Sequence, residues 1–261
     1  MITLDQGNKV FPIRDDNPTL EVPRGTWLVI ALNVLAWIFV QGMGTDPALS
    51  KSVCEFGAIP GELLGTVSPG TQVPLGPRAI CIVQGAGDWM TVLTSMFMHG
   101  SWLHIIGNMW FLAVFGDNVE DSMSHGRFVL FYVLCGVAAV AAQIASSPQS
   151  PIPMVGASGA IGGVMGAYAV LYPRARVHML VFLGFYITRI VVPAALMLGY
   201  WFLLQLIAGL PAVGGEEGGV AFFAHAGGFV AGIVLCFMFR DPERVAAHKR
   251  AIARSWDERV V

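Results

Sequence analysis

The sequence predicts an all-α fold, a polytopic membrane helical bundle with six transmembrane helices. Three observations carry this. Of 261 residues, 55% are hydrophobic and only 12% are charged, against about 25% charged in an ordinary soluble domain. Mean hydropathy is +0.66. Charge-free apolar runs close to the roughly 20 residues needed to cross a bilayer recur along the whole chain. A net charge of −2 supplies no field favouring nucleic acid, so no nucleic-acid partner is expected and the lipid bilayer is the expected surrounding. The length suits one bundle, residues 27–239, flanked by a cytoplasmic N-terminal segment, 1–26, and a cytoplasmic C-terminal tail, 240–261.

The first run, Trp27–Gly44, follows a stretch holding Asp5, Asp15, Asp16 and Glu21. Cleaved secretory signals and mitochondrial presequences open on basic residues, so the run reads as a retained span. The others are Thr91–Phe115, Phe128–Ala145, Gly156–Tyr172, Val191–Ala208 and Val220–Phe239. Val177–Thr188 is also apolar, but 12 residues are too few to cross, and Arg189 and Pro193 follow. It reads as an interfacial or re-entrant stretch. Six spans place both termini on one side, with 13 of the 15 Lys and Arg residues; Lys51 and Arg78 stand opposite. The positive-inside rule makes that side cytoplasmic. A seventh span would carry six C-terminal cations outside.

Thr45–Asp88, 44 residues rich in Gly and Pro, exceeds the usual connection length. A lid, an interfacial platform and a poorly ordered loop all fit it. Within it, Cys54 and Cys81 form a disulfide in an oxidising compartment or stay as two thiols; both readings stand. Cys135 and Cys236 lie inside spans as packing residues.

Polar groups inside spans are expensive and need a reason. Ser158 opens the fourth span in Gly156-Ala157-Ser158-Gly159-Ala160, and His225 opens the sixth in Ala224-His225-Ala226-Gly227-Gly228. Hydroxyl and imidazole are the parts of a nucleophile and base pair. Ser158, Gly162 and Gly166 are spaced i, i+4, i+8, and His225, Gly228 and Gly232 i, i+3, i+7. Each set forms a smooth stripe, and such stripes let backbones approach closely. In the second span His104 and Asn108 lie one turn apart on one face. Two donors aimed at one point suit an oxyanion; a polar pair joining helices is the alternative. His99 is expected nearer the outer interface, bonded to a loop. These spans share one direction, so Ser158, His225, His104 and Asn108 fall at similar depth below the outer surface. No span offers a carboxylate for a triad, and Asp117, Glu120 and Asp121 cluster past the second span. No His-Glu-x-x-His motif is present, so neither a metal site nor a cofactor is expected. Trp89, Trp102 and Trp110 read as interfacial anchors.

His99-x4-His104-x3-Asn108, then Gly156-Ala157-Ser158-Gly159, then Ala224-His225-x2-Gly228-x3-Gly232 resembles the rhomboid intramembrane serine proteases, of the basic six-span bacterial type. The likeness covers about Trp89 to Phe239. It implies Ser158 as nucleophile and His225 as general base and later acid. His104, Asn108 and the Ser158 backbone N–H would bind the oxyanion. The implied reaction is hydrolysis of peptide bonds in or beside transmembrane helices of membrane-protein substrates. The site would face the extracytoplasmic side of a bacterial plasma membrane, with Trp201 and Phe202 of the fifth span flanking substrate access. Two positions depart from the pattern. Gly162 stands where many members place an aromatic residue against the histidine, and Trp89 is followed by Met90 and Thr91 instead of Arg. The alternatives are an inactive relative that binds membrane clients, and a small transporter, for which paired broken helices would be expected.

Overall fold

The computed structural model describes residues 2–4, 8–76, 79–85, 87–183, 186–209 and 221–257. Arg78, Arg259 and Val220, where the sequence starts its sixth apolar run, lie outside the described residues. The chain opens with β1 (Ile2–Leu4) and β2 (Asn8–Asp15), followed by α1 (Arg24–Leu35), which continues as a wider helical turn over Ala36–Val40. The long loop is structured: α2 (Ala48–Phe56), α3 (Pro60–Leu63) and a hairpin of β3 (Gln72–Gly76) and β4 (Ala79–Ile82). The Cys54–Cys81 disulfide ties α2 to β4. Then come α4 (Thr91–Thr94), α5 (Trp102–Asp121), α6 (His125–Ser146) and α7 (Ser158–Leu171). The hairpin β5 (Arg176–Leu183) and β6 (Tyr186–Pro193) leads into α8 (Ala194–Gly209), α9 (Phe222–Phe239) and α10 (Pro242–Asp257).

α7 is the central helix: every residue from Gly159 to Tyr168 is buried. Its small side chains admit close neighbours, and α9 comes closest. A Cβ on Gly228 would stand 1.9 Å from the Gly159 carbonyl oxygen, and one on Gly232 1.9 Å from that of Gly163. Gly162 and Gly166 complete the contact against the backbone oxygens of His225 and Phe229. Away from this seam the core is aromatic, with Phe115, Phe128, Phe131, Tyr132 and Tyr168 fully buried. The outward faces are apolar as well, with Leu196 68%, Val234 58% and Met238 69% exposed. Such faces suit lipid and would be a liability in water.

The structure corrects two expectations. The chain is predominantly helical, yet it also carries a four-stranded sheet in the order β1-β2-β5-β6. Of the run Val177–Thr188, expected as an interfacial or re-entrant stretch, residues 186–188 lie in β6 and residues 177–183 in its antiparallel partner β5. The outer backbone bonds of β5 are met by β2, with Phe11 opposite Leu180 and Asp15 opposite Val177. The side chains alternate, Val177, Met179 and Val181 being buried. Pro193, which has no N–H to donate, ends β6. Second, the run Thr91–Phe115 is two pieces. The chain turns at Met98–Ser101, and Ser101 caps α5 by accepting the His104 N–H at 3.2 Å. The helix then runs on to Asp121, so Asp117, Glu120 and Asp121, past the expected end of the span at Phe115, stand on the same helix. Among the described residues, α6 and α9 are by themselves long and apolar enough to cross a membrane, and residues 24–40, α7 and α8 are shorter apolar helices.

Candidate active site

The tight α7–α9 seam sets the first turns of both helices side by side. Ser158 is the first residue of α7, and His225 lies in the first turn of α9. His225 Nε2 stands 2.7 Å from Ser158 Oγ. On the other side of the ring, His225 Nδ1 stands 2.8 Å from Gln205 Oε1 on α8. An amide oxygen only accepts, so Nδ1 carries the proton and Nε2 is left to accept from the Ser158 hydroxyl. The Trp201 ring, one turn before Gln205, lies 5.9 Å from the imidazole at 37°. Its Cη2 would also sit 3.7 Å from a Cβ on Gly162. An aromatic ring thus reaches the histidine from α8 while α7 offers only Gly162.

α5 faces the pair. The Gly100 N–H donates to His104 Nδ1 at 3.3 Å, which leaves Nε2 as the protonated nitrogen of the neutral ring. A Cβ on Gly156 would come within 2.8 Å of that Nε2 and 3.5 Å of Ser158 Oγ, and Gly156 has φ +130°. Any side chain here would be strained and would fill the space between the two groups. Asn108 is buried, and its Nδ2 has no hydrogen-bond partner. One cavity of about 620 Å³ joins Ser158, His225, His104, Asn108 and Trp201, and Phe11 of β2 also lines it. Trp110 holds that strand, donating from Nε1 to the Pro12 carbonyl at 2.7 Å.

His99 departs from expectation. It is fully buried, and neither ring nitrogen has a partner. Its backbone is the bonded part: the Gln41 side chain accepts its N–H at 2.7 Å and donates to its carbonyl at 2.8 Å. Its ring packs edge-on to His104 at 5.0 Å. Among the described residues no three His, Cys, Asp or Glu side chains gather as a metal-ligand set. Sequence reasoning missed Gln205, Phe11 and the role of Gly156. Gln205 did leave a signal, as an amide in an otherwise apolar run, Phe202-Leu203-Leu204-Gln205-Leu206.

The Rhomboid domain family matches residues 86–242, which hold all the residues of this site except Phe11. The chain belongs to the rhomboid family. It is similar to the rhomboid protease GluP of Bacillus subtilis, 31% identical over 204 residues, which cover 78% of this chain and 34% of that protein. It is also 27% identical to the chloroplastic rhomboid-like protein 11 of Arabidopsis thaliana, over 62% of this chain and 57% of the other. The RHOMBOID-like protein 5 of the same plant is 26% identical, over 58% and 52%. The chain thus spans less than two thirds of the length of these rhomboid relatives. Rhomboid membership places it among integral membrane proteins.

Proposed function

We propose that this rhomboid is an intramembrane serine endopeptidase, hydrolysing peptide bonds in or near transmembrane helices of membrane-protein substrates. The observation that carries the reading is the 2.7 Å contact between Ser158 Oγ and His225 Nε2, in a cavity that also holds the unpartnered Asn108 amide. In this mechanism His225 Nε2 takes the hydroxyl proton as Ser158 Oγ attacks the scissile carbonyl carbon. The resulting oxyanion accepts from His104 Nε2–H, Asn108 Nδ2–H and the Ser158 backbone N–H, which is free at the helix start. The imidazolium returns its proton to the leaving amine, and the acyl-enzyme forms. Water then attacks the ester with His225 again as base, freeing the new carboxyl terminus and restoring the hydroxyl. Gly156 keeps open the space the oxyanion needs, and the α7–α9 glycine seam of Gly162, Gly166, Gly228 and Gly232 holds nucleophile and base in register. The proposed setting is a bacterial plasma membrane crossed by six helices of 27–239, with both termini cytoplasmic and the site on the extracytoplasmic side.

The test is cleavage of a single-span reporter in liposomes by the wild type and by Ser158→Ala. Cleavage is expected from the wild type alone, and a serine-reactive phosphonate should label only the wild type. Equal cleavage by both would remove Ser158 from the mechanism. Binding of reporters without cleavage by either would make this an inactive rhomboid-like client binder.

A further inference from the structure

The imidazole of a serine protease must keep one nitrogen protonated and held so that the other faces the hydroxyl. A buried carboxylate ordinarily does this; among the described residues, the bonded partners of the His225 ring are Gln205 and Ser158, and neither is a carboxylate. We infer that Gln205 on α8 is the positioning residue that fixes the tautomer and orientation of His225, completing a Ser158–His225–Gln205 arrangement; this rests on the protease reading above. The Oε1···Nδ1 distance of 2.8 Å and the Nε2···Oγ distance of 2.7 Å put the three groups in one line of hydrogen bonds. Because Oε1 has no proton to give, only the Nδ1–H tautomer satisfies both contacts. The opposite tautomer would set the bare Nδ1 against the Gln205 oxygen, two acceptors face to face, and leave Ser158 no base. Trp201 covers the ring face that Gly162 leaves bare, so the same helix supplies both restraints.

The location has a consequence. α7 and α9 are locked backbone to backbone, whereas α8 meets α9 through side chains: Trp201 against Phe229 at 6.1 Å, and Phe202 stacked on Phe229 at 4.7 Å. Ser158 and His225 therefore stay together if α8 tilts, but the Gln205 bond does not. The competence of the base is coupled to the seating of α8. A neutral amide also differs from a carboxylate in adding no charge to stabilise the imidazolium.

Three measurements on the full chain in bilayers test this. Nitrogen-15 spectra of the His225 ring should show Nδ1 protonated in the wild type and lose that preference in Gln205→Met, which keeps length and removes the acceptor. Gln205→Met should lower kcat for a reporter by about 10²–10⁴-fold with little change in KM. Gln205→Glu keeps the acceptor and adds charge. It should retain activity, while the acid limb of its kcat/KM profile moves to higher pH, because a carboxylate beside the ring favours its protonated form. Among the described residues, His104 on α5 is the other titratable group facing the imidazole, so the same profile in a His104→Asn background assigns the limb. An Nε2-protonated ring in the wild type overturns the proposal. So does Gln205→Met with kcat within about threefold of wild type, or an acid limb unmoved in Gln205→Glu. If the wild type cleaves nothing, the protease reading fails, and the spectra alone decide whether Gln205 positions His225.

Discussion

The carboxylates at the end of α5 and the polar groups that face the cavity near its start have opposite fates, although Asn118, beside those carboxylates, is also buried with its amide unpartnered. Toward the start of α5, Asn108 is buried with a donor that meets nothing, and His104 turns a free N–H toward Ser158. Toward its end, three carboxylates are matched. Asp117 accepts the Thr19 hydroxyl at 2.6 Å, and Asp121 accepts the Leu20 and Glu21 N–H groups at 2.7 and 3.1 Å. Glu120 accepts the N–H groups of Gly25 and Thr26 and the Thr26 hydroxyl, each at 2.7 Å, and so caps the first turn of α1. Buried polar groups in folded proteins are overwhelmingly paired. A paired group is architecture, and a buried donor left without a partner in a cavity is a place for something the fold does not contain.

This contrast is broken most sharply at Asn108. Asn108→Ala should cut reporter turnover by about 10²–10³-fold, the usual effect of losing one oxyanion donor. Its melting temperature should hold, because the removed donor made no bond in the folded chain. If only KM changed, or if stability fell along with turnover, Asn108 would belong with the architectural groups. Glu120→Ala should do the reverse. Two N–H groups and a hydroxyl at the head of α1 lose their acceptor, at an expected expense of about 2–3 kcal/mol in unfolding free energy. Turnover per folded molecule should change by less than a few fold. A variant as stable as the wild type would mean that water replaces Glu120 freely.

The same contrast decides what was legible in the sequence. Ser158, His225, His104 and Asn108 stood out because each is polar within an apolar run; the spacings of Ser158 and His225 to glycine, and of His104 to Asn108, marked helix faces. Gln205 is equally polar, but nothing local says which helix it faces. Its role depends on α8 lying against α9, a contact across 20 residues, 11 of them outside the described ones. The sheet was hidden for a similar reason. Arg176–Leu183 is apolar enough to read as membrane-associated, and its partner β2 lies more than 160 residues earlier. Hydropathy reports what a segment avoids, and pairing requires knowing what it meets. Asp117, Glu120 and Asp121 mark the end of an apolar run, not of a helix; here α5 carries them onward to cap α1.

The smallest effect is expected where a carboxylate is paired yet still out of place. Asp15, at the end of β2, accepts a hydrogen bond from the Tyr168 hydroxyl, which in turn accepts from Asn17 Nδ2 at 2.7 Å. Burial pushes its carboxyl up from the ordinary value to about 7, with Asp117 and Asp16 adding repulsion and the Tyr168 bond opposing. The folded chain therefore holds a proton on Asp15 that the unfolded chain releases near pH 4. Across the window from about pH 4 to pH 7 the native state binds more protons than the unfolded one, so stability falls as pH rises and levels off above it. The strain is local to β2. Amide exchange over residues 11–15, corrected for its intrinsic pH dependence, should be faster at pH 8 than at pH 5, and Asp15→Asn should flatten the difference. Protection that grows with pH in the wild type would show that Asp15 is docked as the anion, with the Tyr168 bond outweighing its burial. Phe11 of the same strand lines the site cavity, so the loosening should reach reporter cleavage as a change of less than tenfold, absent in Asp15→Asn.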